Sequence, residues 1–222
     1  MVDIEEYFDQ SEHALKSLFD CLNHYKELAR MSVAPVKAIR HSGRLGEFEE
    51  KYLQWRSLPE VKENFEFANY AKEEFYASKF SMHVVCGSIL QISCKAIELF
   101  SSNHKLDEAS SFLFQKTSQK AREKTIKFAI GRVINSVPAG LVIYAGRNQY
   151  NHFEEEKLSD LNTRIFDSLA RNHGGDYIDP AFDLQNNIVG LFSSNICSIL
   201  DWNSYENYIL DIKSIIESST NA

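Results

Sequence analysis

MHVVCGSILQISCKAIELF, residues 82–100, spreads Val84, Val85, Ile89, Leu90, Ile92, Ala96, Ile97 and Leu99 around most of a helical circumference. A helix apolar on most sides belongs in a core, so this stretch predicts a buried helix against which the rest must pack. Upstream, Pro59 fits the first turn of a helix that runs on through VKENFEFANYAKEEFYASKF, and FEEKYLQWRSL before it is helical in pattern too. From about Ile4 to Leu28, the residues Tyr7, Phe8, Leu15, Leu18, Phe19, Leu22 and Tyr25 recur at the spacing of an amphipathic helix. MSVAPVKAIRHSGRLG, holding Pro35, Gly43 and Gly46, reads as a connection.

Downstream, SSNHKLDEASS punctuates the pattern with residues suited to caps and turns. A basic helix is predicted from about Ser118 to Val133, and Asn135 and Ser136 ahead of Pro138 resemble a helix start. A long helical pattern follows from about Ala139 to Leu169, with Gly146 and the polar run after it as the place for a bend or split. RNHGGDYIDPAFD is a loop, and two closing helices are expected near Leu184–Leu200 and Tyr205–Ile216. Only four Pro and nine Gly interrupt 222 residues, which favours long helices over short strands joined by tight turns. The expected class is therefore all-α.

Composition narrows the function classes. Hydrophobic residues make up 44% of the chain, enough for a proper core and against wholesale disorder. MVDIEEYFDQ lacks a basic start followed by an apolar run, so no secretory signal is visible. The longest apolar stretch, roughly Val137 to Ala145, is too short to span a bilayer. Cys21, Cys86, Cys94 and Cys197 are scattered without a CxxC pair, as expected of reduced thiols in a cytoplasmic protein rather than a disulfide framework or zinc site. No membrane partner is expected.

A net charge of -7 disfavours indiscriminate nucleic-acid binding. Yet Lys116, Lys120, Arg122, Lys124, Lys127 and Arg132 are opposed within their span only by Glu123, while Asp3, Glu5, Glu6, Asp9 and Glu12 make the N-terminus acidic. Such a stripe can select a polyanion such as RNA; it reads equally as a solvated helix face.

The run GRNQYNHF, residues 146–153, carries the residues best suited to chemistry. On a helix Asn148 and His152 are four apart and share a face, and the long side chain of Arg147 can swing toward them. A guanidinium offers permanent charge and paired donors shaped for phosphate oxygens. An imidazole can accept a proton from a hydroxyl, and an amide can hold an oxygen or orient the ring. Together they suit attack of a ribose 2′-hydroxyl on the adjacent phosphate, a reaction that needs neither metal nor cofactor.

An Arg, then a polar residue, then a His at this separation resembles the RX4-6H signature of HEPN domains, with four residues between Arg147 and His152. The resemblance covers about residues 80–200. It implies a compact HEPN-like helical bundle at roughly 76–222 with an N-terminal helical extension at roughly 1–75, the whole chain forming one all-α unit. It further implies a metal-independent endoribonuclease leaving 2′,3′-cyclic phosphate ends. The catalytic pair would be Arg147 and His152, with Asn148 their polar companion, in a site shared across a homodimer. Toxin–antitoxin and antiviral-defence roles are typical of the family, so an inhibitory antitoxin or regulatory protein is an expected partner. One departure stands out: where an antitoxin-regulated subgroup has a modifiable Tyr two residues after the His, this chain has Glu154.

Two plainer readings remain beside it. In one, Arg147 pairs with Glu154 or Glu155 on a solvated helix, with His152 merely at the surface; in the other, the bundle binds RNA or a partner protein without cutting anything. Elsewhere, His83, Cys86 and Cys94 fit a core helix better than a metal site. Asp176, Asp179 and Asp183 lack the spacing of a calcium loop and suit turns and caps, and His173 suits an exposed loop. Trp55 and Trp202 at helical spacing are more often core than base-stacking platforms. No P-loop, GxGxxG or GxSxG occurs.

Overall fold

The computed structural model describes residues 3–33, 45–152, 154, 158–171, 174–185 and 191–219. Among these described residues eight α-helices follow one another: α1 (Ile4–Met31), α2 (Leu45–Ser57), α3 (Pro59–Phe100), α4 (Gln119–Thr125), α5 (Ala139–Asn151), α6 (Asp160–Arg171), α7 (Ser193–Ile199) and α8 (Tyr205–Glu217). Two short 3-10 segments, Glu108–Phe114 and Ile126–Phe128, flank α4, and a small hairpin pairs β1 (Val133–Ile134) with β2 (Val137–Pro138). The fold is all-α, with that hairpin as its single sheet among the described residues.

Two compact units divide the chain. One is Leu22–Ser81; the other joins Met1–Cys21 to Met82–Ala222. In the first, Leu22, Val61, Ala68 and Ala71 are buried, Trp55 meets Phe65 edge to face at 6.0 Å, and the Arg56 guanidinium lies 3.8 Å from the Phe65 ring centre. Such a cation–π contact adds about 0.5–1 kcal/mol at an exposed position.

The second unit is built on α5. Leu141, Val142, Ile143 and Ala145 are fully buried, and α5 packs against α6 and α7. Each large apolar side chain withdrawn this way contributes about 1.5–3 kcal/mol. Gly146 permits close packing: a Cβ there would stand 2.9 Å from Ile196 and 3.2 Å from Leu90. Around α8, the Trp202 and Tyr208 rings meet edge to face at 4.8 Å, Phe19 lies 5.4 Å from Tyr208, and Ser93 Oγ donates to the Tyr208 hydroxyl. Trp202 is thus core. Its indole Nε1 donates to Asp211 Oδ2 at 2.9 Å.

Several expectations need correcting. Residues 59–100 form one unbroken helix of 42 residues. Within its 82–100 stretch the structure buries His83, Cys86, Ile89, Leu90, Ser93, Cys94, Ala96 and Ile97, but leaves Val84, Gln91, Lys95, Glu98 and Leu99 exposed. By length and composition α3 could cross a bilayer, with one 18-residue window of mean hydropathy 1.3; half of that window is buried, as in a core helix. The stretch Val137–Ala145 is therefore not the chain's most membrane-like segment.

The basic helix is shorter than Ser118–Val133. It starts after an N-cap at Ser118, whose Oγ accepts from Ala121 N–H, and ends at Thr125. Buried Asn103 explains part of the break, because its Nδ2 donates to the Ile126 and Ala129 carbonyls. Asn135 and Ser136 form no helix start. Both take positive φ (46° and 68°) as the two-residue turn of the hairpin, the signs a type I′ turn requires. The long pattern from Ala139 divides after Asn151, within the polar run expected to bend or split it, whereas α7 starts only at Ser193, with Leu184 and Gln185 in a turn. Pro35, Gly43, Phe153, Glu155, Glu156 and His173 lie outside the described residues.

Candidate functional site

Arg147 and Asn148 sit half-buried in the last turns of α5, and His152 is its exposed C-cap at φ −122°. Asn148 touches both ends of the motif. Its Oδ1 accepts from Arg147 Nη1 at 2.9 Å, and its backbone carbonyl accepts the His152 N–H at 3.0 Å. The link from Asn148 to His152 therefore runs through the backbone, and regular helical geometry has already ended at His152.

Arg147 is held from a second side. Its Nε donates to Gln91 Oε1 at 2.6 Å, so the exposed edge of α3 fixes the guanidinium of α5. Gln91 belongs to no motif, and no local pattern points to it. With Gln91 and Asn148 as partners, Arg147 does not depend on Glu154. Glu155 lies outside the described residues.

A cavity of about 500 Å³ opens beside Arg147, lined also by Cys94, Glu98, Glu123, Lys124, Lys127, Phe128 and Tyr144. Two residues of the basic stripe thus share a wall with the motif's Arg. Lys127 is positioned by a hydrogen bond from Nζ to the Glu98 carbonyl, 3.1 Å, near the C-terminus of α3, where the helix dipole favours a cation. Tyr144 and Phe128 pack at 4.9 Å to make the aromatic side of the cavity. Tyr144 was not singled out from the sequence; its one signal is its place three residues before Arg147, on the same face.

Burial pushes the Cys94 thiol up to about 12, with Arg147 acting in the opposite direction and Glu98 adding to the rise. Its Sγ lies 3.7 Å from the Ile143 carbonyl. A thiol held protonated is neither nucleophile nor metal ligand, so Cys94 forms inert wall.

The rest of the stripe separates. Arg122 lines a neighbouring cavity, Lys120 is exposed, and Lys116 is exposed in a left-handed turn at φ 61°. Arg132 is engaged differently: Nε and Nη2 grip Asp211 Oδ1 and Oδ2 at 3.0 and 3.1 Å, and Nη2 also donates to the Leu200 carbonyl at 2.7 Å. That bidentate pair ties the chain just before β1 to α8.

The set-aside candidates have structural places. His83 is buried with Nδ1 3.3 Å from both Ser193 Oγ and Ser194 Oγ. Asp179 and Asp183 accept from the Ala181 and Gln185 N–H groups, as turn residues do. Cys86, Cys94 and Cys197 are buried and Cys21 is exposed, all as free thiols. Among the described residues no group of three His, Cys, Asp or Glu side chains is placed to hold a metal ion. No protein-family profile, curated protein or solved structure matches the chain.

Proposed function

We propose that this chain is a metal-independent endoribonuclease of HEPN type that cleaves RNA through a site shared by two copies in a homodimer. The observation that carries this reading is the shared cavity wall: Arg147, fixed by Gln91 and Asn148, faces the same space as Lys124, Lys127 and Tyr144. Three cations beside an aromatic ring form the elements of a single-stranded RNA groove, in which phosphates meet charge and a base meets a π-face. His152, exposed one residue beyond α5, is the general base that takes the 2′-hydroxyl proton, and Arg147 stabilises the charge that builds on the phosphate. The 2′-oxygen bonds to phosphorus as the P–O5′ bond breaks, and the departing 5′-oxygen takes a proton from solvent, which leaves a 2′,3′-cyclic phosphate and a 5′-hydroxyl. Lys116, Lys120 and Arg122 extend the electrostatic guide to the strand, whereas Arg132 serves the fold through Asp211. Activity of this kind harms its host, so a cytoplasmic toxin or antiviral effector held by an antitoxin or regulatory protein is the fitting role.

The test uses chemistry that binding cannot imitate. RNA incubated with the chain in EDTA should be cut, and the same strand with deoxyribose at the cut site should survive. RNA left whole at every protein concentration contradicts the proposal. A second reading, a non-catalytic RNA- or protein-binding module, draws on one observation: Arg147 is hydrogen-bonded at both Nε and Nη1 as an anchoring arginine would be. Under that reading RNA binds and stays intact.

A further inference from the structure

A second cavity, of about 610 Å³, lies on the other side of Glu123 and is lined by His104, Thr117, Gln119, Arg122, Glu123 and Ile126. Glu123 borders both cavities. Resting on the RNA reading of the Arg147 cavity, we infer that this second cavity is a phosphate-binding subsite for the same RNA strand, with His104 and Arg122 as its ligands.

Three features support it. First, the guanidinium and the imidazole stand outside the described ion pairs, although the Glu123 carboxylate shares their wall. Glu123, adjacent to Arg122 in sequence, has Oε1 taken by the Gln119 amide at 3.1 Å, and the described ion pairs of the chain engage neither Arg122 nor His104. A guanidinium is shaped to bind a phosphate through two oxygens, and an imidazole adds a donor.

Second, the cavity is built rather than incidental. Asn103, next to His104, donates to the Ile126 and Ala129 carbonyls and accepts the Lys105 N–H. Those bonds fix the loop that carries His104 against the segment following α4, so little ordering is needed when a ligand arrives. Thr117, which lines the cavity, carries a hydroxyl that is buried without a protein partner, a donor that a phosphate oxygen would satisfy.

Third, the arrangement fits a polymer. Arg122 faces one cavity, and Lys124, Lys127 and Arg147 face the other, with Glu123 as the ridge between them. The carboxylate repels phosphates from the ridge and so leaves them to the flanking cavities, which sets a register for the strand. A mononucleotide would use only one side; a strand uses both.

The test measures binding of oligouridylates of increasing length, from a dinucleotide upward, to the full chain carrying His152→Ala so that bound RNA is not cut. Affinity should step up at the length that spans both cavities. Adding His104→Gln and Arg122→Gln should remove the step, weakening the longer strands about tenfold and lowering their salt slope by about one, with a much smaller loss for the dinucleotide. Both side chains are exposed, and an unchanged thermal melt confirms that the fold persists. Longer strands bound equally well with and without the two substitutions would overturn the subsite while leaving the Arg147 reading in place. No RNA bound at any length, even with His104 and Arg122 present, would overturn both.

Discussion

Arg147 Nε donates to Gln91 Oε1 at 2.6 Å, so a side chain 56 residues earlier in the sequence sets the direction of the guanidinium. Removing that support should misplace Arg147 without deleting it. Gln91→Ala is expected to lower the single-turnover cleavage rate about tenfold, against roughly 10²–10³-fold for Arg147→Ala. Equal losses for the two substitutions would mean that Gln91 does more than orient.

Asp211 joins α8 to two other places, accepting from Arg132 and from the buried Trp202 indole. Asp211→Ala strands the indole N–H and should cost about 2 kcal/mol in urea denaturation, since a buried donor left unpaired bears its full desolvation penalty. Arg132→Ala should also lower stability, by less because its side chain is 44% exposed, and should leave RNA affinity near that of the unmutated chain. Lys124→Ala should show the reverse pattern in the same two assays.

Two glycines separate rigid from yielding neighbours. A Cβ at Gly140 would stand 2.5 Å from the Phe128 carbonyl oxygen, which is backbone; at Gly87 it would meet the Tyr150 ring at 2.6 Å, which can rotate away. Gly140→Ala should therefore destabilise by about 2 kcal/mol or more and Gly87→Ala by clearly less. Thermal melts of the two variants side by side decide it.

Thiol labelling follows burial. Cys21 should react with maleimide in the native chain, whereas Cys86, Cys94 and Cys197 should react only in denaturant. Cys94 carries a pH signature as well. Its folded thiol is pushed up to about 12 by burial, while an unfolded thiol ionises near about 8.5. Its contribution to stability is complete below the lower value and is lost as pH climbs toward the higher. Substituting Cys94→Ala should flatten the alkaline end of the stability profile.

The helical class was legible because α1, α5, α6 and α8 repeat apolar residues at helical spacing, and Pro59 marks the start of α3 correctly. What escaped the sequence was set by tertiary contacts. α4 stops early because a buried Asn103 claims carbonyls at Ile126 and Ala129, which no local pattern announces. The Asn135–Ser136 turn was mistaken for a helix start because the same residue types serve both purposes. Arg147, Asn148 and His152 were visible as a motif, and Lys124 and Lys127 as a charge run. That these two lysines line a cavity with Arg147, while Arg132 turns to Asp211, depends on how the chain folds back between α3 and α5. Gln91 and His104 carried no signal, since a lone polar or His residue is common on any helix or loop, and Tyr144 carried only its spacing from Arg147.

The central claim is that Arg147 and His152 cut RNA. Its most direct measurement is cleavage of 5′-labelled RNA in EDTA by the unmutated chain beside Arg147→Ala and His152→Ala, with the product ends resolved. The unmutated chain should leave 2′,3′-cyclic phosphate ends, and each variant should lose about 10²-fold or more in rate. Equal cleavage by all three would contradict the claim.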